Sequence, residues 1–170
     1  RHAGQSALPS VRSRQLMETG VERLRAGDAA VGTSLLAQAI DLWPQNADAR
    51  FLLGQAWLQQ GQAAKAADQF RWVLERHPDQ FEVRSLLAAS LRQAGDRAAA
   101  AALLREQLTR EPAHPRAATE LAWLLATAPD ASPEQVAEAI ALVMPIVAQH
   151  PSPSACDALA AAHARAGRFD

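Results

Sequence analysis

Tyrosine is absent from this 170-residue sequence, and aromatic residues make up only 5% of it. Residues with β-branched side chains are thinly spread, whereas Ala and Leu dominate. Because Ala, Leu, Gln, Glu and Arg are the strong helix formers, this composition predicts an all-α protein. Hydrophobic residues account for 49% of the chain, which excludes a disordered polypeptide.

An excess of one charge sign is also lacking. The chain has 17 Lys and Arg residues against 18 Asp and Glu residues, for a net charge of −1. Binding to a phosphate backbone needs a clear basic excess or a basic stripe. We therefore expect no nucleic-acid partner.

Cysteine and long apolar runs are scarce. The single Cys156 cannot form an internal disulfide, and we expect it to pack as a small core residue. The longest apolar run, residues 139–148, has about half of the ~20 residues that a membrane helix needs. We expect a soluble chain without a membrane span, cytoplasmic or periplasmic. Because the sequence starts without Met, we also expect a fragment of a longer protein.

Motifs for catalysis are missing as well. The sequence has no glycine-rich phosphate loop, no nucleophile elbow and no HExxH motif. No group of His, Cys and carboxylate residues has the spacing of metal ligands. We therefore expect no enzymatic activity, no cofactor and no metal. His163 aligns with Trp57 and Leu91 in the repeats described next, so we expect it to be packed rather than catalytic.

What the sequence does contain is a repeat of 34 residues. Prolines, glycines, small residues and large apolar residues each recur at this interval. The columns are Pro44, Pro78 and Pro112; Gly27, Gly61 and Gly95; Gly20, Gly54, Ala88 and Ala122; Gly32, Ala66 and Ala100; and Leu36, Phe70 and Leu104. The pattern predicts helix hairpins in series, because glycine closes the first helix, proline ends the second, and stacking buries both faces.

The tripeptide His77-Pro78-Asp79 has a second possible meaning, because J-domain co-chaperones use the same tripeptide to stimulate an ATPase partner. Here it falls in the proline column of the repeat. We interpret it as the stop between two hairpins and not as a functional loop, since the motif needs its own helical context.

The period and columns resemble the tetratricopeptide repeat, whose signature is 34 residues long. The second unit matches best, through Leu53-Gly54, Trp57, Ala66, Phe70 and Pro78. The resemblance, closest to bacterial arrays, implies a right-handed α-solenoid of about four stacked antiparallel hairpins plus a terminal helix. The expected division is a tail or linker at 1–12, units at 13–46, 47–80, 81–114 and 115–152, and a partial unit at 153–170. In that terminal helix we expect Arg165 and Arg168 to face water.

The fourth unit departs from the pattern through Pro129 and five extra residues. We predict a long turn over residues 127–131. Ser132 should cap the next helix, with Gln135 completing a capping box. Pro145 falls well inside that helix, where it lacks an N–H and crowds the preceding turn, so we predict a kink there.

The resemblance implies a protein–protein interaction module that binds a peptide or partner protein in a concave groove formed by the first helix of each unit. The groove residues that it implies are Arg14, Met17, Val21, Leu24 and Arg25 in the first unit; Phe51, Gln55, Leu58 and Gln59 in the second; Arg92 and Gln93 in the third; and Arg116, Trp123 and Thr127 in the fourth. Small residues, Ser85 and Ala89, should leave room in the middle. Such a surface would suit a ligand, either an amphipathic helix or an extended peptide, that has spaced apolar side chains and some acidic ones.

One subset of this family clamps the C-terminal tails of Hsp70 and Hsp90 with Lys, Asn and Arg side chains. The corresponding positions here hold Met17, Val21, Leu52, Glu82 and Leu86. Because hydrocarbon cannot replace the cationic donors that a carboxylate needs, we do not expect these tails as partners.

Three other interpretations stay open. The chain could be the regulatory or substrate-positioning arm of a larger enzyme. It could be a self-assembling scaffold, since Trp43 and Trp72 occupy columns that usually face solvent, although both could instead pack across a local helix–turn junction. The N-terminal tail could also cover the groove through Leu8 and Val11, and Trp123 could simply pack between the first helix of the fourth unit and the terminal helix.

Overall fold

The structure is a computed structural model that describes residues 8–167, and every regular element in this range is an α-helix. The helices are α1 (Pro9–Arg25), α2 (Ala29–Leu42), α3 (Ala47–Gln59), α4 (Ala63–Arg76), α5 (Phe81–Gln93), α6 (Arg97–Arg110), α7 (Pro115–Ala126), α8 (Pro133–Gln149) and α9 (Pro153–Ala166). The all-α class is thereby confirmed.

The chain divides into two compact units, one ending at Ala94 and the other beginning at Gly95. Unit 1 contains α1 to α5, and unit 2 contains α6 to α9. Each has its own buried apolar core. In unit 1 the large core residues include Leu36, Leu53, Phe70, Val73, Val83 and Leu87; in unit 2 they include Leu104, Leu121, Leu125, Val136 and Val143.

The repeated glycines Gly27, Gly61 and Gly95 have the left-handed conformation that we predicted, with φ of 87°, 75° and 93°. Each lies just after a helix, where a residue with positive φ lets the chain turn back. The tripeptide around Pro78 also lies between helices, since α4 ends at Arg76 and α5 begins at Phe81. The interpretation of these positions as turns is confirmed.

A Gly61→Ala substitution is expected to lower the free energy of unfolding by about 1–2 kcal/mol. A methyl group there would meet no atom within 4 Å, so the cost comes from the backbone conformation alone. Urea unfolding followed by circular dichroism measures it. Gly167→Ala is the matched control, because Gly167 has φ of −63° and room for a methyl group. Equal losses in both variants would contradict this explanation.

The first helix begins at Pro9, so residues 9–12 belong to α1 although we expected them in a tail. The remainder of the predicted tail, residues 1–7, lies outside the described residues. Leu8 and Val11 are large exposed hydrophobic residues, at 69% and 46% exposure. The interpretation in which these two side chains cover the groove therefore has no support in the described part of the chain.

The irregular fourth repeat has the predicted turn and helix cap. No helix includes residues 127–132, and α8 begins directly after Ser132. The Ser132 hydroxyl accepts a hydrogen bond from the Gln135 backbone N–H (3.3 Å), and the Ser132 N–H donates to Gln135 Oε1 (3.0 Å). The capping box is confirmed. Helix α8 continues through Pro145, and the kink at this residue stays a prediction.

Two arginines hold the turn at residues 127–132. Arg97 Nη2 donates to the Leu124 carbonyl (2.6 Å) and to the Thr127 hydroxyl (2.9 Å). Arg165 Nη2 donates to the Ala128 carbonyl (3.0 Å) and to the Pro129 carbonyl. Our expectation that Arg165 faces water was therefore wrong, because the long turn supplies carbonyl acceptors next to α9. Arg168 lies outside the described residues.

Candidate functional site

The predicted groove residues of α1 line the side of this helix that lies partly against α2. Met17, Val21 and Leu24 are half-buried, whereas Arg14 and Arg25 are exposed. Leu24 also packs on α2, since a methyl group on Gly32 would lie 2.6 Å from Leu24 Cγ. Leu24 therefore serves the core as well as the surface.

The predicted groove residues of α3 are also divided between packing and exposure. The Phe51 ring meets the Phe70 ring edge to face, with centroids 6.1 Å apart. Gln55 and Leu58 are half-buried, and Gln59 is exposed. Since Phe51 is part of the packing between α3 and α4, its removal would test stability as much as binding.

On α5 the predicted groove residues at the end of the helix are exposed, whereas the small residue Ser85 is buried. Arg92 and Gln93 are exposed, and within residues 8–167 Arg92 forms no ion pair. Ser85 is buried, and its hydroxyl has no hydrogen-bond partner among the described residues. Ser85 therefore adds no exposed surface of its own, and the expectation that small residues leave room in the groove stays a prediction.

Unit 2 presents one continuous polar and aromatic face on α7. Arg116, Trp123 and Thr127 follow a spacing that places them on one side of the helix, with Glu120 between them. Arg116 Nε donates to Glu120 Oε1 (2.9 Å), and the Trp123 side chain keeps 41% of its surface exposed. The Thr127 hydroxyl donates to the Trp123 carbonyl (2.7 Å), which fixes the end of this face.

A cleft of about 860 Å³ lies beside the first turns of α7. Its walls come from α7, the second half of α8 and the turn before α9, and include Arg116, Thr119 and Glu120. Pro145 lies in the wall together with Ala141, whose carbonyl cannot receive the usual helical hydrogen bond because proline has no N–H. The cleft therefore combines apolar surface with the charged groups of Arg116 and Glu120.

The α7 N-terminus next to this cleft is capped by a histidine. His114 Nδ1 accepts a hydrogen bond from the Ala117 backbone N–H (3.3 Å), and Pro115 is the first helical residue. The same turn places His114 Nε2 3.9 Å from Glu111 Oε2. His114 thus has a structural role in starting the helix that carries Arg116 and Trp123.

Helix α8 is tied to α6 by a bidentate ion pair. Arg105 Nε and Nη2 donate to the two carboxylate oxygens of Glu138, at 2.9 and 2.8 Å. Hydrogen bonding to Glu138 raises the pKa of Arg105, with the negative charge of Glu138 acting in the same direction and partial burial acting against it. The pair holds one wall of unit 2 in register.

The structure corrects two predictions about reactive side chains. Cys156 and His163 are both exposed on α9, although we expected both to be packed. The small residues Ala155, Ala158 and Ala162 fill the buried face of this helix instead. Within residues 8–167, no group of His, Cys, Asp and Glu side chains is arranged to hold a metal ion. In the same range, no helix is both long and apolar enough to span a bilayer.

Sequence reasoning missed the arginines at the fourth position of the second and third repeats. Arg50 Nε donates to the Pro44 carbonyl (3.2 Å), and Arg84 Nη2 donates to the Pro78 carbonyl. Both arginines therefore brace the turn that precedes their own helix. Their spacing of 34 residues was visible in the sequence and could have indicated this shared role.

Residues 23–89 match the family model of the tetratricopeptide repeat. These residues form tetratricopeptide repeats. The matched segment runs from α1 into α5, and the predicted resemblance to this family is thereby confirmed. No curated protein matches the sequence.

Several solved structures are similar to most of this chain. One from Parabacteroides merdae has a TM-score of 0.79 at 18% identity, over 94% of this chain and 62% of that one. MamA of strain AMB-1 has a TM-score of 0.70 at 21% identity, over 93% and 84%. The O-GlcNAc transferase of Thermobaculum terrenum, as a mutant, has a TM-score of 0.63 at 19% identity, over 86% and 28%. At these identities, the likeness concerns the fold.

Proposed function

We propose that this chain is a protein-interaction module without catalytic activity of its own. It binds a peptide or partner surface through the first helices of its tetratricopeptide hairpins. This family serves in general as a scaffold for protein contacts, and the small and large apolar columns of the repeats here are buried between helices. The proposed binding residues are those predicted from the sequence, none of which is among the buried residues.

The observation that carries the proposal is the exposed Trp123 on the same face of α7 as Arg116, on the helix whose first turns line the cleft. Tryptophan and arginine are the residues that most often dominate the energy of protein interfaces. The cleft offers apolar surface for a ligand side chain, and its lining includes the Arg116 guanidinium, which pairs with Glu120 and keeps 60% of its side chain exposed. This combination suits a peptide with spaced apolar residues and an acidic one.

A Trp123→Ala variant is expected to bind at least about tenfold more weakly than the wild-type protein, equivalent to about 1.4 kcal/mol. The probes are peptides selected against the wild-type chain from a phage-displayed library, with affinities measured by fluorescence anisotropy. An Arg92→Glu variant tests the predicted surface of unit 1 in the same way. The melting temperature should change little in either variant, because both side chains are exposed.

Met144→Ala is the matched control, because Met144 is a large exposed apolar residue outside the predicted groove. It should bind the selected peptides as the wild type does. Failure to select any peptide, or equal losses in the Trp123 and Met144 variants, would contradict the proposed function. If a variant loses binding only because it unfolds, the proposed binding role of the substituted residue is contradicted.

The runner-up is a tetratricopeptide arm of a larger enzyme that regulates it or positions its substrate. Its support is the likeness to a transferase of which the matched segment forms only 28%. The full sequence of the gene product decides between the two. A self-assembling scaffold through Trp43 and Trp72 is a third possibility. It has less support, because arginine side chains contact the Trp72 ring.

A further inference from the structure

The Trp72 ring in unit 1 carries two guanidinium groups. The Arg50 Cζ atom lies 4.2 Å from the ring centroid, and the Arg76 Cζ atom lies 3.7 Å from it. A cation at this distance is attracted by the electron-rich face of an indole. The ring thereby holds two positive charges close together at the edge of unit 1 formed by α3, α4 and the turn before α3.

The partners of Arg50 within the described residues are all neutral. Its Nε atom donates to the Pro44 carbonyl (3.2 Å), and its Nη1 atom donates to Gln69 Oε1 (3.0 Å). Burial lowers the pKa of Arg50, and the positive charge of Arg76 lowers it further. The charge on Arg50 is thus held in place without a carboxylate to balance it.

The positive charge of Arg76 is only weakly compensated by a neighbouring carboxylate. Its Nη1 atom lies 3.2 Å from the Trp72 carbonyl and 3.5 Å from the carboxylate of Glu75, which is an exposed residue. By comparison, Arg71 on the same helix pairs with Asp68 at 2.9 Å. Among the described residues, the two cations at Trp72 therefore have a single ion-pair partner, the weakly held carboxylate of Glu75.

Stacking also leaves hydrogen-bond donors available. A guanidinium that lies against an aromatic ring uses its flat face, so its N–H groups stay free to meet a carboxylate. Among the residues that the structure describes, Arg50 Nη2 and the Nε and Nη2 atoms of Arg76 donate to no protein acceptor. The Trp43-Pro44 turn adjoins Arg50 through the Pro44 carbonyl, and the Trp43 side chain is 37% exposed.

We propose that Arg50, Trp72 and Arg76 form a docking site for an acidic segment of a partner protein. Carboxylates of that segment bind the guanidinium edges, and an apolar neighbour packs on Trp43. A protein segment fits better than a nucleic acid, because the chain has a net charge of −1 and no basic stripe to follow a phosphate backbone. None of the three residues belongs to the predicted groove, so this site is independent of the function proposed above.

The test uses a fluorescently labelled hexaglutamate peptide as the probe and hexaglutamine as its neutral counterpart. The wild-type protein should bind hexaglutamate more tightly than hexaglutamine, and added salt should weaken the binding of hexaglutamate. The Arg76→Gln variant should lose about tenfold in affinity, as expected when one cation of a paired site is removed. The Arg71→Gln variant is the matched control on the same helix and should retain the wild-type affinity.

A second measurement does not depend on any variant. The indole N–H resonance of Trp72 in the wild-type protein should shift on addition of hexaglutamate, while that of Trp57 should not. Equal binding of the two peptides, equal losses in the Arg71 and Arg76 variants, or an unmoved Trp72 resonance would overturn the proposal. Tighter binding of a single-stranded oligonucleotide through Arg76 would overturn it in favour of a phosphate ligand.

Discussion

Replacing Phe70 with alanine is expected to lower the free energy of unfolding by about 3–5 kcal/mol. The side chain is 0% exposed and is the largest fully buried residue that the structure describes. It fills the space left by Gly54, where a methyl group would lie 2.8 Å from Phe70 Cε1, and it meets the Phe51 ring edge to face. Alanine would leave a cavity between α3 and α4 that neither neighbour can fill, and urea unfolding measures the cost.

Leu42→Ala is the control for this experiment, because Leu42 is a large apolar residue that is exposed at the end of α2. Its loss should cost less than about 1 kcal/mol, as is usual for surface positions. If the Phe70 and Leu42 variants lose similar stability, Phe70 is not the centre of the unit 1 core. A Gly54→Leu variant should also be destabilised, since its side chain competes with Phe70 for the same space.

The fold could be predicted from the sequence because its signal is local and repeated. A glycine that closes a helix and a proline that stops one act through the backbone of their own turn, as at Gly61 and Pro78. Columns of small and large residues then indicate where helices approach closely. The same reasoning identified the capping box at Ser132, because both partners lie three residues apart.

The predictions that were wrong depend on contacts between distant segments. Arg165 binds carbonyls 36 and 37 residues earlier in the chain, and no local pattern indicates this. Cys156 and His163 are exposed because alanines already fill the inner face of α9. The repeat pattern identifies which face of a helix is buried when large apolar residues mark that face. The terminal helix α9 has alanines on both faces, so the pattern does not distinguish its buried side from its exposed side.

Of the two candidate surfaces, the resemblance predicted one, and the other was found only in the structure. The resemblance to tetratricopeptide repeats supplied the residues on the first helices, including Trp123, which is 41% exposed, and their role in binding stays a prediction. It did not supply the contacts of Arg50 and Arg76 with Trp72, because none of these three residues belongs to the columns that carry the resemblance. Residues outside those columns are therefore where this sequence carries information of its own.

The second large effect concerns a buried polar network that joins α1, α2 and α3. The Ser13 hydroxyl donates to the Ala39 carbonyl (2.6 Å), and Asn46 Nδ2 donates to the Ser13 oxygen (2.9 Å). Asn46 Oδ1 accepts from the Ala49 backbone N–H (2.9 Å) and so caps α3. Both side chains are buried, at 0% and 4% exposure, so water cannot replace any partner that is removed.

An Asn46→Ala variant is expected to lose about 2–4 kcal/mol of unfolding free energy, from the helix cap and from the broken bond to Ser13. Asp96→Ala is the matched control, because Asp96 caps α6 by the same bond to a backbone N–H (3.0 Å) but is exposed and joins no network. It should lose only about 1 kcal/mol. Adding Ser13→Ala to the Asn46 variant should cost less than Ser13→Ala costs alone, since their shared bond is already lost. Additive losses, or equal losses in the Asn46 and Asp96 variants, would mean that the cap alone carries the effect and that the network contributes nothing to unit 1.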